Sequence, residues 1–196
     1  MENASKALIM AATILLGVMI IAIGVYLFSS YAQYSSNTYK KIEQAQIDQF
    51  NSQFLKYYGS EEITLKKYDA SDSDISQKEI VSILCSAHDI ISLANLAQKN
   101  NQYYEIENEV TEGSEASNYI QIKLKKVDNN IEKWTEEKKI DFLKKSTYSV
   151  TINGKVRVKN RYYYINSEPK INSGTKRVYY LEFEEYKYSD DMEIIS

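Results

Sequence analysis

Cys85 and His88, three residues apart, are the pair with the most specific chemistry in the chain. On one helix they would share a side, the spacing of a two-ligand metal contact. The sequence holds no other Cys or His, and two ligands do not close a zinc site. Asp89 would add a carboxylate, but no spacing demands it. The plain reading is a core thiol beside a partly exposed histidine. A catalytic Cys–His pair fails because both residues fall on one helix with no oxyanion loop nearby. No Gly-x-Ser-x-Gly, phosphate-binding loop or dinucleotide fingerprint occurs, and the six glycines are scattered. We therefore assign no catalytic, cofactor-binding or metal residue, and expect no cofactor and no enzymatic activity.

The carboxylates and tyrosines carry weaker signals. Glu105, Glu107 and Glu109 alternate as on the solvent face of a strand, and Glu182, Glu184 and Glu185 form a second group; neither points to acid–base work. Eighteen tyrosines include the runs Tyr162–Tyr163–Tyr164 and Tyr179–Tyr180, with Lys155, Arg157, Lys159 and Arg161 close in sequence. Rings beside cations suit stacking of a base or sugar. Strand propensity in a half-buried sheet explains the same composition. With a net charge of −3 there is no basic field to recruit nucleic acid, so none is expected as a partner. A tyrosine face used for self-association or partner contact is the intermediate reading.

The elements that hold these residues begin with a lipid-length segment. Residues 7–28, ALIMAATILLGVMIIAIGVYLF, are apolar at all but Thr13, Gly17 and Gly24, and no charge falls between Lys6 and Lys40. As a helix this run spans about 33 Å, against about 30 Å of hydrocarbon. Its Leu, Ile, Val and Phe residues each favour insertion by about 0.3–0.6 kcal/mol. Tyr26, Phe28 and Tyr31 gather at the headgroup end. The expected partner of residues 7–28 is the lipid bilayer. Two other readings stand beside this one: a signal peptide cleaved after Ser30-Tyr31-Ala32, and a buried core helix. Gly17 and Gly24 share a helix face, as small residues do where membrane helices pack, although no Gly-x-x-x-Gly is present. Charge does not decide the orientation.

The rest is long enough for one domain with a core. The spacing predicts a tail over 1–6, the membrane helix over 7–28, a helical stalk over 29–58 and a domain over 59–196. In the stalk Ile42, Gln46, Phe50, Phe54 and Tyr57 recur at helical steps, and Gly59 suits a C-cap. A short strand is expected at Ile63–Leu65. A second helix is expected from Ser76 to about Lys99, with Ser76 and Glu79 as a capping box and Ile80, Leu84, Ala87, Ile91 and Ala94 as its buried stripe. Strands are expected over 103–110 and 118–127, linked by 111–117, with Ile120, Ile122 and Leu124 on one face. A weaker helix over 130–145 carries Ile131, Trp134 and Phe142, capped by Asp128 or Asn129. A hairpin turns at Asn153–Gly154, where the apolar phases ask for a one-residue bulge. Strands over 161–166 and 176–188 close the chain, with Tyr179, Leu181 and Phe183 on one face. The sum is an α+β domain: a long helix and a shorter one on an antiparallel sheet.

The opening hydrophobic helix, the segment FNSQFLKYYG (Phe50, Asn51, Phe54, Tyr57 or Tyr58, Gly59) and the helix from Ser76 resemble pilin-like membrane proteins of Gram-positive bacteria. The resemblance covers about the first half of the chain. It implies a single-pass bacterial envelope protein with an extracellular domain, and is compatible with a homo-oligomer. The likeness to type IV pilins is architectural only. The Gly of a peptidase site and the acidic fifth mature residue are missing, Glu2 being the one early acid. The alternative function is a membrane-tethered binding module that holds a peptide or small ligand on its tyrosine-rich sheet.

Overall fold

The computed structural model describes residues 2–68, 75–105 and 118–195. The chain divides between Asp48 and Gln49 into two compact units. Helix α1 runs Glu2–Leu55. In the first unit every large apolar side chain from Leu8 to Phe28 is exposed, and the segment is long and apolar enough to cross a membrane. No Gly or Pro interrupts residues 29–55, so the helix continues to Leu55. It stops there rather than at Tyr58, and Gly59 follows at φ +148, where a Cβ would meet Ile83 Cδ1 at 3.2 Å.

The second unit is α+β. The last turns of α1 contribute Phe54, fully buried, with Phe50 tilted against it. Strands β1 (Ser60–Lys67), β2 (Ile75–Ser82) and β10 (Met192–Ile195) form an antiparallel sheet in the order β10-β1-β2. The strand expected at Ile63–Leu65 lies within β1. A second sheet takes β3 (Cys85–Ser86), β7 (Tyr162–Ile165), β9 (Val178–Tyr186) and β4 (Gln121–Leu124), with β8 (Lys170–Ile171) also on β9. Its β4–β9 pair is parallel, an exception to the antiparallel expectation. Helix α2 (Ala87–Tyr103) packs on this sheet, with Ala87, Ile90, Ile91, Ala94 and Ala97 buried against β4 and β9 residues such as Ile122, Leu181 and Phe183.

The helix expected from Ser76 starts eleven residues later. Residues 75–82 instead pair with β1 along its full length, which suits the β-branched Ile75, Ile80 and Val81. The working capping box is Ser86 with Asp89: Ser86 Oγ accepts from Asp89 N at 3.2 Å, and Ser86 N donates to Asp89 Oδ2 at 2.9 Å. Ala87, Ile91 and Ala94 of the expected stripe are buried on α2, whereas Ile80 is 76% exposed on β2. Tyr103 closes α2, and residues 106–117, with Glu107 and Glu109, lie outside the described ones. Ile120, Ile122 and Leu124 are all buried, as their alternation requires.

The helix expected over 130–145 is broken. A 3-10 turn, Ile131–Lys133, precedes α3 (Glu136–Lys144), and the cap is Thr135, accepting from Lys138 N, not Asp128 or Asn129. At about 100° per residue, a continuous helix would spread Ile131, Glu132 and Trp134 over an arc of about 160°, wider than a typical buried stripe. The extended backbone at Trp134 and Thr135 lets all three turn inward.

Strands β5 (Thr147–Ile152) and β6 (Lys155–Asn160) form the hairpin, and no bulge is present. Asn153 (φ 50) and Gly154 (φ 74) are both left-handed, as a two-residue type I′ turn requires. Val150 therefore faces Arg157, and Val156 and Val158 are left 72% and 69% exposed on the other side. In the last strand Leu181 and Phe183 are buried and Tyr179 is half-buried; Val178 is buried in its place, beside an irregularity in the β8–β9 register.

Candidate functional site

Cys85 and His88 do not share an element. Cys85 is on β3, buried, its Sγ donating to Tyr163 O at 3.3 Å, while His88 is exposed on the first turn of α2. Burial and the neighbouring Asp89 charge push the thiol up to about 12, the state of a core thiol rather than a nucleophile. Among the described residues no group of three His, Cys, Asp or Glu could hold a metal ion.

The carboxylates divide by partner. Glu184 is bound by Lys125 (2.7 Å), Tyr164 (3.2 Å) and Asn166 (3.3 Å), and Glu185 pairs with Arg161. Glu132, on the 3-10 turn, is buried: its carboxylate accepts from Ile122 N at 2.9 Å and from Tyr119 OH at 3.2 Å, while burial pushes it up. It acts as a side-chain partner for the β4 backbone, an arrangement that no spacing rule in the sequence announces.

The tyrosines and cations do meet, but chiefly with each other. The strict hairpin register turns Arg157 and Lys159 inward. Arg157 lies 3.6 Å from the Tyr68 ring centroid, Lys159 4.6 Å from Tyr188, and Arg161 4.9 Å from Tyr148. Tyr186 stacks on Tyr188, and Tyr164 meets Tyr186 edge-on. These contacts replace the aliphatic phase that a bulge would have supplied, at about 0.5–2 kcal/mol each. Burial lowers Lys159 and raises Tyr148 and Tyr188 from their ordinary values. A cleft of about 270 Å³ opens here, lined by Tyr148, Asn160, Arg161, Glu185, Tyr186 and Tyr188 among others. Lys155 is exposed beside the hairpin turn.

The segment Phe50–Gly59 has a structural explanation. The Asn51 side chain donates to Lys176 O and accepts from Val178 N, each at 2.9 Å, completing the backbone bonds at the start of β9. Arg177, between them, lies over the Phe50 ring at 4.9 Å. Tyr57 OH donates to Asp89 Oδ1 at 2.6 Å, tying the chain after α1 to the cap of α2. Burial alone would raise the Asp89 carboxyl, but hydrogen bonds from Tyr57 and Ser86 and the Lys56 charge hold it below the usual range. Comparison of the chain with protein-family models, curated proteins and solved structures found no match.

Proposed function

We propose that the chain is a single-pass, membrane-anchored, pilin-like structural or interaction protein of a bacterial cell envelope, without enzymatic activity and with its C-terminal domain outside. The observation that carries this reading is the apolar first half of α1, exposed all round over a length matching hydrocarbon. A soluble chain would leave the nineteen apolar residues of 7–28 in water, far beyond an ordinary surface patch. The polar contacts described above are structural, and the tyrosine faces are engaged by the protein's own cations, which supports assembly or contact over catalysis. The cleft at Tyr148 and Tyr188 favours a second reading, a tethered module for a peptide or small ligand.

The test is carbonate extraction of membranes from cells making the full chain, with the mass of the N-terminal peptide read from the recovered protein. Retention in the pellet with residues 1–32 present supports the anchor. Soluble protein beginning at Gln33 contradicts it. Sedimentation of the detergent-solubilised chain then separates the two readings: ordered oligomers favour assembly, and a monomer that binds a ligand favours the module.

A further inference from the structure

A cleft of about 830 Å³ lies between the last turns of α2 and the 3-10 turn Ile131–Lys133, within the size range of small-molecule sites. Glu132, 3% exposed, forms part of its wall. Its carboxylate accepts from neutral groups: Ile122 N at 2.9 Å, Tyr119 OH at 3.2 Å and the Asn130 side chain. Among the described residues no cation pairs with it, and burial holds its carboxyl above the ordinary value. A buried acid in this state is settled by a retained proton or by an arriving cation.

The rest of the lining selects a cation of a particular kind. Exposed Glu105 supplies a second carboxylate, and Gln102 a carboxamide. Lys133 is the opposing charge, and its Nζ rests 5.6 Å from the Tyr119 ring centroid rather than on Glu132. Two carboxylates against one ammonium disfavour an anion. Tyr119 is 2% exposed, so it offers no open ring on which a sugar could stack. A bare calcium ion takes about six or more oxygen ligands, and among the described residues no group of three carboxylates could hold one. We propose that the cleft binds a small aliphatic diamine, one ammonium on the Glu132 carboxylate and the other at the Glu105 rim. The inference concerns the second unit alone and rests neither on the anchor nor on the cleft at Tyr148 and Tyr188.

Calorimetric titration of the full chain in nonionic detergent with cadaverine tests it, with pentanediol, a chain of the same length without charge, as the control. Saturable binding of cadaverine and none of pentanediol is expected. Glu132→Gln keeps an oxygen for Ile122 N and removes the charge, so binding should weaken at least about tenfold. Glu105→Gln, on the exposed rim, should weaken it by no more than about fivefold. The Glu132 carboxyl signal of isotope-labelled wild-type protein, followed by nuclear magnetic resonance, should titrate at lower pH with cadaverine present, which reads the contact without a variant. Wild-type protein that takes up no cadaverine overturns the proposal. So does pentanediol bound as tightly as the amine, an unchanged affinity in Glu132→Gln, or a Glu132 titration that cadaverine leaves unmoved.

Discussion

Asn51 Oδ1 accepts the Val178 amide proton at 2.9 Å, while its Nδ2 donates to Lys176 O at the same distance, so one side chain supplies both bonds that a neighbouring strand would make. Val178 is buried and begins the central strand β9. Asn51→Ala should therefore cost about 1–3 kcal/mol, the price of unmatched backbone groups. At about 2–4 °C per kcal/mol for a domain of this size, thermal melting of the full chain in detergent would show the loss. Asn51→Asp keeps the acceptor and loses the donor, and should fall between. An unchanged melting temperature in Asn51→Ala would mean that the clamp contributes nothing.

Tyr57 and Asp89 give a pH dependence with a defined sign. Asp89 is lowered in the folded state, so the unfolded chain holds that proton more tightly. The stabilisation is present above the unfolded value of 3.8 and is lost as pH falls through the lower folded one. Denaturant titrations from neutral to acid pH should show Asp89→Asn weaker than wild type at pH 7 and converging with it in acid. A constant difference across the range would assign the Asp89 contribution to packing instead.

The hairpin register predicts opposite outcomes at neighbouring positions. Val156→Thr and Val158→Thr, on the exposed face, should change stability by no more than about 0.5 kcal/mol. Gly154→Val forces a β-branched residue to φ 74 and should cost more than 1 kcal/mol. Arg157→Ala loses the ring contact with Tyr68 and should lie between them. Chemical denaturation of the four variants ranks them. A large loss at Val156 or Val158 would restore the bulged register.

Cys85 should resist alkylation in the native chain and react fully on unfolding, because the thiol is buried and raised to about 12. Stoichiometric labelling under native conditions, measured by mass, would contradict the placement of β3.

What could be read from sequence followed how local the signal was. The run from Ala7 to Phe28 and the Phe50–Phe54 face were legible because lipid-length apolarity and helical spacing are properties of a single segment. Ile120, Ile122 and Leu124 were legible by alternation. Residues 75–82 were not: Ser76 and Glu79 imitate a capping box, and only the partner β1, some fifteen residues back, makes them a strand. The hairpin phase was misjudged because apolar counting treats Arg157 and Lys159 as outward residues, whereas Tyr68 and Tyr188 give their charges an inward partner. The Asn51 clamp and the Glu132 contact with β4 join residues ten or more positions apart, and no one-dimensional pattern marks them.

The central claim is that lipid solvates the first half of α1. Its most direct measurement is the depth of single nitroxide labels at Leu16 and Tyr39 in full-length protein reconstituted into vesicles. The account predicts a label at position 16 reached by oxygen and shielded from an aqueous relaxant, and the reverse at position 39. Equal aqueous access at both positions would contradict it.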